Sequence, residues 1–203
     1  MNIHRLVVGP LETNCYLVSD EAGNAAVIDP GFEPEKILSA ARELGLTIRA
    51  ILLTHGHFDH VGGVRAIAQA TAWPVWMHEN DVTLRTAMTV TAPYYTDLYA
   101  EGDGVNVGAL RFTVLETPGH TDGGVTYIQG NQMYCGDTLF QGSMGRTDLY
   151  GGNNDKMAAS LKRLSQIEGY YVVLPGHGAA SNLEDERRSN PYMRRAAQDK
   201  PLF

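Results

Sequence analysis

The sequence has no long apolar run and no excess of basic charge. No stretch approaches the about 20 consecutive apolar residues of a membrane-spanning helix. The N-terminal residues MNIHRLVVGPLETNCYL do not place a basic segment before an apolar one, as a secretory signal does. Lysine and arginine number 16 against 23 aspartate and glutamate residues, so the formal net charge is -7. Nucleic acids and anionic membranes favour basic surfaces, so we expect a cytoplasmic protein that binds neither.

Cysteine is also scarce. The chain has two cysteines, Cys15 and Cys135, and each lies in an apolar, strand-like segment, so we expect buried thiols. Cys135 stands two residues before Asp137 in its segment, whereas a reactive thiol requires an exposed, electropositive setting. No Ser-His-Asp or Cys-His arrangement is visible. The sequence therefore disfavours catalysis by a nucleophilic side chain.

The order of apolar segments predicts an α/β protein with two similar halves. In each half, short strands and a helix are separated by glycine, proline and asparagine. Predicted strands cover residues 3–8, 14–20, 25–31, 48–55, 73–78, 110–120, 124–130, 132–137 and 170–178, and predicted helices cover 33–45, 62–72, 154–168 and a segment from about Leu183. Residues 79–104 are interpreted as helix and loop. Two such halves favour one domain, residues 1-203, folded as a four-layer αββα sandwich.

Histidine and aspartate residues stand where several predicted strands end. A single histidine at such a place usually satisfies backbone groups or caps a helix. A whole set predicts a metal site, because imidazole and carboxylate groups are metal ligands and strands that run alike bring their ends to one edge. The set consists of His55, His57, Asp59, His60, His120, Asp137 and His177.

The spacing in THGHFDH, residues 54–60, divides this set into two half-sites. Residues two apart on an extended or turning backbone point to the same side, so His55 and His57 can share one ion. Asp59 and His60 lie where the chain turns into a helix that we expect to begin at Val61, and they must aim elsewhere. The sequence therefore predicts two metal ions.

Each half-site needs ligands from distant parts of the chain, because two protein ligands leave too many open positions on a metal. His120 can complete the first half-site and His177 the second. Asp137 offers two carboxylate oxygens and is suited to bridge the two ions.

THGHFDH, followed in order by His120, Asp137 and His177, resembles the T-H-x-H-x-D-H signature of the metallo-β-lactamase superfamily. The segments DTLF, LPGHG and ERRSNPYM, together with Gly145–Arg146, resemble the glyoxalase II-like hydrolases of that superfamily. The resemblance covers essentially the whole chain. It implies an αββα fold with the site at a sheet edge, and the same ligand division that the spacing predicts.

The resemblance implies a binuclear metallohydrolase that converts S-D-lactoylglutathione to D-lactate and glutathione. Two divalent ions, zinc above all and otherwise iron or manganese, would lie about 3.5–4 Å apart and give hydroxide at neutral pH. Asp59 would be both ligand and catalytic residue. With both aspartates and the hydroxide counted, the local charge is about +1, so we expect a small anionic thioester as partner. Nothing in the sequence requires an oligomer, and a monomer is the simplest expectation.

Two features depart from full-length glyoxalase II enzymes. Their C-terminal helical domain, which contacts glutathione, has no counterpart after NPYMRRAAQDKPLF, so we expect a loose hold on the substrate. Arg146 is the only basic residue between His120 and Lys156. It is a candidate substrate contact, with a solvated surface arginine or a loop-holding ion pair as alternatives. The aromatic segment TAPYYTDLY, residues Thr91 to Tyr99, is either core packing or an apolar rim over the site.

Other activities fit the same residues. A persulfide dioxygenase with a single iron shares the fold and the ligands, and a lactonase is a further alternative. A nuclease is disfavoured by the acidic composition. A non-catalytic metal-binding module is disfavoured because structural sites are usually closed and rich in cysteine, whereas these ligands leave room for water.

Overall fold

The computed structural model describes residues 1–84 and 93–203. Two six-stranded mixed sheets face each other, and a two-stranded ribbon lies beside them. This is the αββα arrangement that the sequence predicts. Within the described ranges, no helix is long and apolar enough to cross a membrane.

The first sheet has the strand order β1-β2-β3-β4-β5-β6. Its strands are β1 Asn2–Val8, β2 Thr13–Ser19, β3 Asn24–Ile28, β4 Thr47–Leu52, β5 Val75–His78 and β6 Asp97–Tyr99. The first three strands form an antiparallel meander, and β3 to β6 run parallel. Every residue of β2 is buried, including the polar Thr13, Asn14 and Ser19 at its ends.

The second sheet has the order β14-β13-β10-β9-β8-β7. Its strands are β7 Gly104–Val107, β8 Leu110–Glu116, β9 Val125–Gln129, β10 Gln132–Gly136, β13 Val172–Pro175 and β14 Ser181–Asn182, and the ribbon pairs β11 Leu139–Phe140 with β12 Ser143–Met144. β10 runs parallel to β13 and antiparallel to β9, which is antiparallel to β8. Strands β8, β10 and β13 therefore all end at the same edge.

Helices α1 Pro34–Glu43 and α3 Val64–Thr71 cover the outer face of the first sheet, and α5 Asn154–Ser165, α6 Leu183–Ser189 and α7 Pro191–Ala197 cover that of the second. The four-residue helices α2 Phe58–Val61 and α4 Glu79–Val82 follow the ends of β4 and β5. Three apolar clusters hold the layers together. One fills the space between the sheets, one joins the first sheet to α1 and α3, and one joins the second sheet to α5, α6 and α7. Three clusters between four layers are what a sandwich of this kind requires.

The structure corrects the predicted start of the second helix. Instead of one helix from Val61, a four-residue helix, α2, contains Asp59 and His60, and α3 begins only at Val64. The break falls at Gly62, where an added Cβ would lie 2.3 Å from the carbonyl oxygen of Gly31. Only glycine allows this close approach of the two backbones.

The prediction for residues 79–104 was incomplete. This part contains α4, the short strand β6 and the start of β7, in addition to loop. The first two residues of the aromatic segment, Thr91 and Ala92, lie outside the described residues. At its other end, the buried Tyr99 belongs to β6 and packs in the inter-sheet core.

Candidate metal centre

The three histidines of the first predicted half-site lie together. His57 Nδ1 is 2.8 Å from His120 Nε2, and the rings of His55 and His120 have centroids 4.9 Å apart. The donor atoms of all three lie within 4.8 Å of one another. All three side chains are buried. The structure thus brings together residues that follow β4 and β8, one from each sheet.

The second half-site is also assembled. Asp59 Oδ2 lies 3.1 Å from His177 Nε2 and 3.5 Å from His60 Nε2, and the two Nε2 atoms are 3.3 Å apart. Two ligands that each bind one ion at about 2.1 Å in tetrahedral geometry are separated by about 3.4 Å. The observed separations fit that value.

Asp137 follows β10 and lies between the two groups. Its Oδ2 is 3.4 Å from His120 Nε2 in the first group and 3.6 Å from His177 Nε2 in the second. Its Oδ1 lies 3.5 Å from His60 Nε2. This central position is the one that a bridging carboxylate must occupy.

Several donor atoms of the metal centre have no hydrogen-bond partner among the residues that the structure describes, which also fits metal binding. His55 Nε2, His57 Nε2 and Asp137 Oδ1 are buried and have no hydrogen-bond partner in the described part of the chain. Buried polar atoms without partners are costly, and several in one place indicate that something else completes them. Imidazole nitrogens and carboxylate oxygens are ligands that divalent transition metals accept.

The pKa shifts separate the two groups. Burial and the neighbouring His120 and His60 lower the pKa of His57 to about 4, and burial also lowers that of His55. Burial lowers the pKa of His60 too, but Asp137 and Asp29 outweigh it and raise the value to about 9. Burial therefore favours neutral imidazoles at His55 and His57, whereas the carboxylates around His60 favour its charged form.

Hydrogen bonds to the far side of each ring orient the ligands. His120 Nδ1 donates to the carbonyl oxygen of Arg146 at 2.7 Å, and His177 Nδ1 donates to that of Leu11 at 3.0 Å. Each bond turns the Nε2 atom of its ring toward the site. Such contacts on the non-ligating nitrogen are the usual way in which proteins fix a histidine ligand.

His60 is oriented by a carboxylate that sequence reasoning missed. Asp29 Oδ2 lies 2.9 Å from His60 Nδ1, and the same carboxylate accepts hydrogen bonds from the backbone N–H and hydroxyl of Thr54. Asp29 follows β3 in the left-handed region, at φ 50. The signal was in the sequence, since AAVID also ends a strand on an acidic residue. The group Asp29, His55 and His60 thus overlaps the two ligand groups and supports them.

Residues 8–177 match the Metallo-beta-lactamase superfamily. The chain belongs to this superfamily. Hydroxyacylglutathione hydrolase GloC of Haemophilus influenzae is 33% identical over 208 residues, which cover 95% of this chain and 98% of the relative. Superfamily membership, with the two His/Asp groups, implies divalent metal ions.

Two solved structures share the fold over nearly the whole chain. TTHA1623 in a di-iron-bound form is 39% identical with a TM-score of 0.84, and the match covers 93% of this chain and 99% of the other. ETHE1 from Myxococcus xanthus is 32% identical with a TM-score of 0.84, covering 95% and 84%. The first of these shows that a relative with this fold can hold two iron ions.

Arg146 lies beside the metal centre, with its guanidinium turned to solvent. It forms a two-pronged ion pair with Asp148, with Nε–Oδ1 and Nη2–Oδ2 distances both of 2.7 Å. Both side chains are more than half exposed. The loop-holding ion pair, one of the alternatives that the sequence offered, is therefore present, and a substrate contact stays a prediction.

Neither cysteine belongs to a metal group in the described part of the chain. Cys15 and Cys135 are fully buried free thiols. Burial raises the pKa of Cys135 to about 12. A thiol in this setting is not a nucleophile at neutral pH.

Proposed function

We propose that this chain is a metal-dependent thioester hydrolase that converts S-D-lactoylglutathione and water to D-lactate and glutathione. The observation that carries the proposal is the pair of complete donor groups with Asp137 between them. The similarity to a hydroxyacylglutathione hydrolase over nearly the full length of both chains supports this substrate class.

The residues that would hold the ions follow from the donor geometry. The first ion would be bound by His55, His57 and His120, and the second by Asp59, His60 and His177, with Asp137 shared. We propose zinc at both positions, with iron or manganese as the alternatives. When bound, two such ions polarise a carbonyl oxygen and lower the pKa of a water toward about 7.

Asp59 is suited to orient the attacking water. Burial raises the pKa of its carboxyl group, but the neighbouring His177 and His60 outweigh burial and hold it well below its usual range, and a bound cation would act in the same direction. The Thr13 hydroxyl donates to Asp59 Oδ2 at 3.2 Å and fixes the carboxylate further. A carboxylate that stays ionised accepts a hydrogen bond from water and aligns it for attack.

We propose a thioester substrate because three histidines of the site are not free to donate a proton to a leaving group. The ring N–H groups of His60, His120 and His177 already donate to Asp29, the Arg146 carbonyl and the Leu11 carbonyl. None of these three rings can protonate a leaving group without losing its orientation. A thiolate leaves without protonation, whereas the alkoxide from a lactone benefits from an acid, so the arrangement favours thioesters over lactones.

The charges predict weak binding of the glutathione part. Asp29 adds a third carboxylate, which lowers the local charge by one unit relative to a count of Asp59 and Asp137 alone. The Arg146 guanidinium is already paired with Asp148. We therefore expect a KM of about 1 mM, at the weak end of the usual range.

The test uses purified protein loaded separately with zinc, manganese or iron. Thioester cleavage is followed by free thiol release from S-D-lactoylglutathione, with D-lactate identified as product. Oxygen consumption is measured in parallel with glutathione persulfide, because a one-iron persulfide dioxygenase is the main alternative. We expect thioester cleavage and no oxygen uptake. Oxygen uptake with one bound iron and no thioester cleavage would replace the hydrolase with the dioxygenase.

A further inference from the structure

Asp81 is a fully buried carboxylate that lies next to the metal centre without belonging to either ligand group. It stands on α4, directly after β5. Its Oδ2 accepts hydrogen bonds from the backbone N–H of Gly56 and from the Thr121 hydroxyl, both at 2.8 Å. Its Oδ1 accepts one from the backbone N–H of Gly123, also at 2.8 Å.

These three bonds connect two segments that carry ligands of the first group. Gly56 stands between His55 and His57, and Thr121 directly follows His120. The two segments come from different sheets and are more than 60 positions apart, since His57 and His120 are separated by 63. One side chain therefore fixes the relative position of all three histidines.

Two glycines lie closely packed against Asp81 and its surroundings. A Cβ at Gly123 would lie 2.7 Å from Asp81 Oδ1, and a Cβ at Gly56 would lie 3.0 Å from the Met77 side chain and 3.2 Å from the Asp81 carbonyl oxygen. At the first position such a contact is too close for any side chain. Gly123 therefore makes room for the Asp81 carboxylate, and Gly56 packs against Met77 and the main chain of Asp81.

Asp81 is itself held in place by His78. The His78 Nδ1 atom accepts a hydrogen bond from the backbone N–H of Asn80 at the start of α4. Its Nε2 lies 3.1 Å from Glu116 Oε1, at the end of β8 in the opposite sheet. His78 thus ties α4 to the strand that leads to His120.

We propose that Asp81 is a positioning residue that sets the metal affinity of the first group by holding the His55–His57 turn against the segment that carries His120. Ligand placement affects metal affinity because a site binds a metal more tightly when its donor atoms already hold the required geometry before the metal binds. This inference rests on one part of the proposed function, namely that the first group binds a metal ion.

The second group has a different set of supports. His60 is oriented by Asp29, His177 by the Leu11 carbonyl, and Asp59 accepts from Thr13. Among the described residues, no hydrogen bond of Asp81 reaches these segments. A change at Asp81 should therefore affect one group and spare the other, which a general loss of stability would not do.

The experiment isolates each group before Asp81 is changed. The variant His177→Ala leaves only the first group complete, and His57→Ala leaves only the second. Asp81→Asn is then added to each parent, because asparagine keeps the size of aspartate but replaces one accepting oxygen with an NH2 group. Zinc affinity is measured by competition with a chromophoric chelator. We expect affinity to fall on the order of 10-fold or more in the first parent and to change by no more than about twofold in the second.

A second pair of variants covers the case in which Asp81→Asn does not fold. Thr121→Val removes one hydroxyl donor to Asp81 at nearly constant shape, and Thr121→Ser keeps the hydroxyl. In the His177→Ala parent we expect Thr121→Val to weaken zinc binding by about three- to tenfold. Thr121→Ser should keep zinc binding at nearly the parent value. Circular dichroism and the melting temperature of the metal-free proteins report on folding separately.

The outcomes distinguish the possibilities. A lower melting temperature with unchanged zinc affinity in the first parent would reduce Asp81 to a structural role and overturn the proposal. Equal losses in both parents would overturn it as well. If the His177→Ala parent itself binds no zinc, the assignment of the first metal group is wrong, and the inference falls with it.

Discussion

The Nδ1 atom of His177 lies 3.0 Å from the carbonyl oxygen of Leu11, a residue 166 positions earlier in the chain. This contact places the turn between β1 and β2 directly against the loop after β13. It directs the other ring nitrogen of His177 toward Asp59 and Asp137. The second metal group therefore depends on both ends of the sequence.

Asp137 should be essential for both metal ions. Because its carboxylate lies within 3.6 Å of donors in both groups, Asp137→Ala is expected to lose both ions and nearly all hydrolysis. Elemental analysis after gel filtration measures the metal content. The exposed Asp155→Ala on α5 serves as the control and should keep both ions. Two ions retained per chain in the Asp137 variant would end the bridging assignment.

Asp59 should matter for turnover more than for folding. Asp59→Asn keeps the side-chain shape in α2 but removes the charge and one acceptor oxygen, so we expect turnover to fall on the order of 100-fold or more. Circular dichroism should show an unchanged fold. A variant that turns over at nearly the wild-type rate would show that the second group is dispensable.

Arg146 should influence the choice between charged and neutral substrates. In Arg146→Ala we expect binding of S-D-lactoylglutathione to weaken a few-fold, as for other exposed charge contacts, and binding of a neutral N-acetylcysteamine thioester to stay unchanged. KM values for the two substrates provide the comparison. Asp148→Asn, which frees the guanidinium, should strengthen binding of the charged substrate. Equal effects of Arg146→Ala on both substrates would leave only the ion pair with Asp148 as its role.

Asp20 should stabilise the end of the sandwich opposite the metal centre, with a defined pH dependence. Hydrogen bonds from the backbone N–H of Ala109 and from the Asn24 side chain lower the pKa of Asp20 from 3.8 to about 2. A lowered pKa means that the ionised group stabilises the fold above pH 3.8 and that this contribution is lost as the pH falls toward 2.

Asp20→Asn should therefore unfold at a lower urea concentration than the wild type at neutral pH. The difference should shrink below pH 3.8 and vanish near pH 2. Tryptophan fluorescence follows the unfolding, and Glu168→Gln, at an exposed position, provides the control. A difference that does not change with pH would show that the charge of Asp20 has no part in stability.

The sequence predicted the layers and the clustering of these histidines and aspartates because both leave periodic or clustered signals. The strand ends at His120, Asp137 and His177 could be read from apolar runs that stop at a ligand-type residue. Convergence then followed from strand direction, which β8, β10 and β13 share.

Other parts of the site could not be predicted because they depend on tertiary contacts. Asp81 has no spacing relation to THGHFDH and became visible only through its bonds to Gly56 and Thr121. The separate helix α2 was missed because the break at Gly62 is imposed by the backbone of Gly31, far away in sequence. Short strands such as β6 and β14 carry too few residues for an alternating pattern.

The acceptors that orient His120 and His177 are main-chain carbonyls, those of Arg146 and Leu11. Every amino acid supplies the same carbonyl, so the side chains at these two positions can be exchanged without removing the group that aims the ligand. Leu11 is exposed and the Arg146 side chain is turned to solvent, so both side chains lie at the surface beside residues of the metal centre. Mutational libraries restricted to residues 11 and 146 should therefore alter substrate preference while metal content stays constant, which makes them practical starting points for redirecting the enzyme.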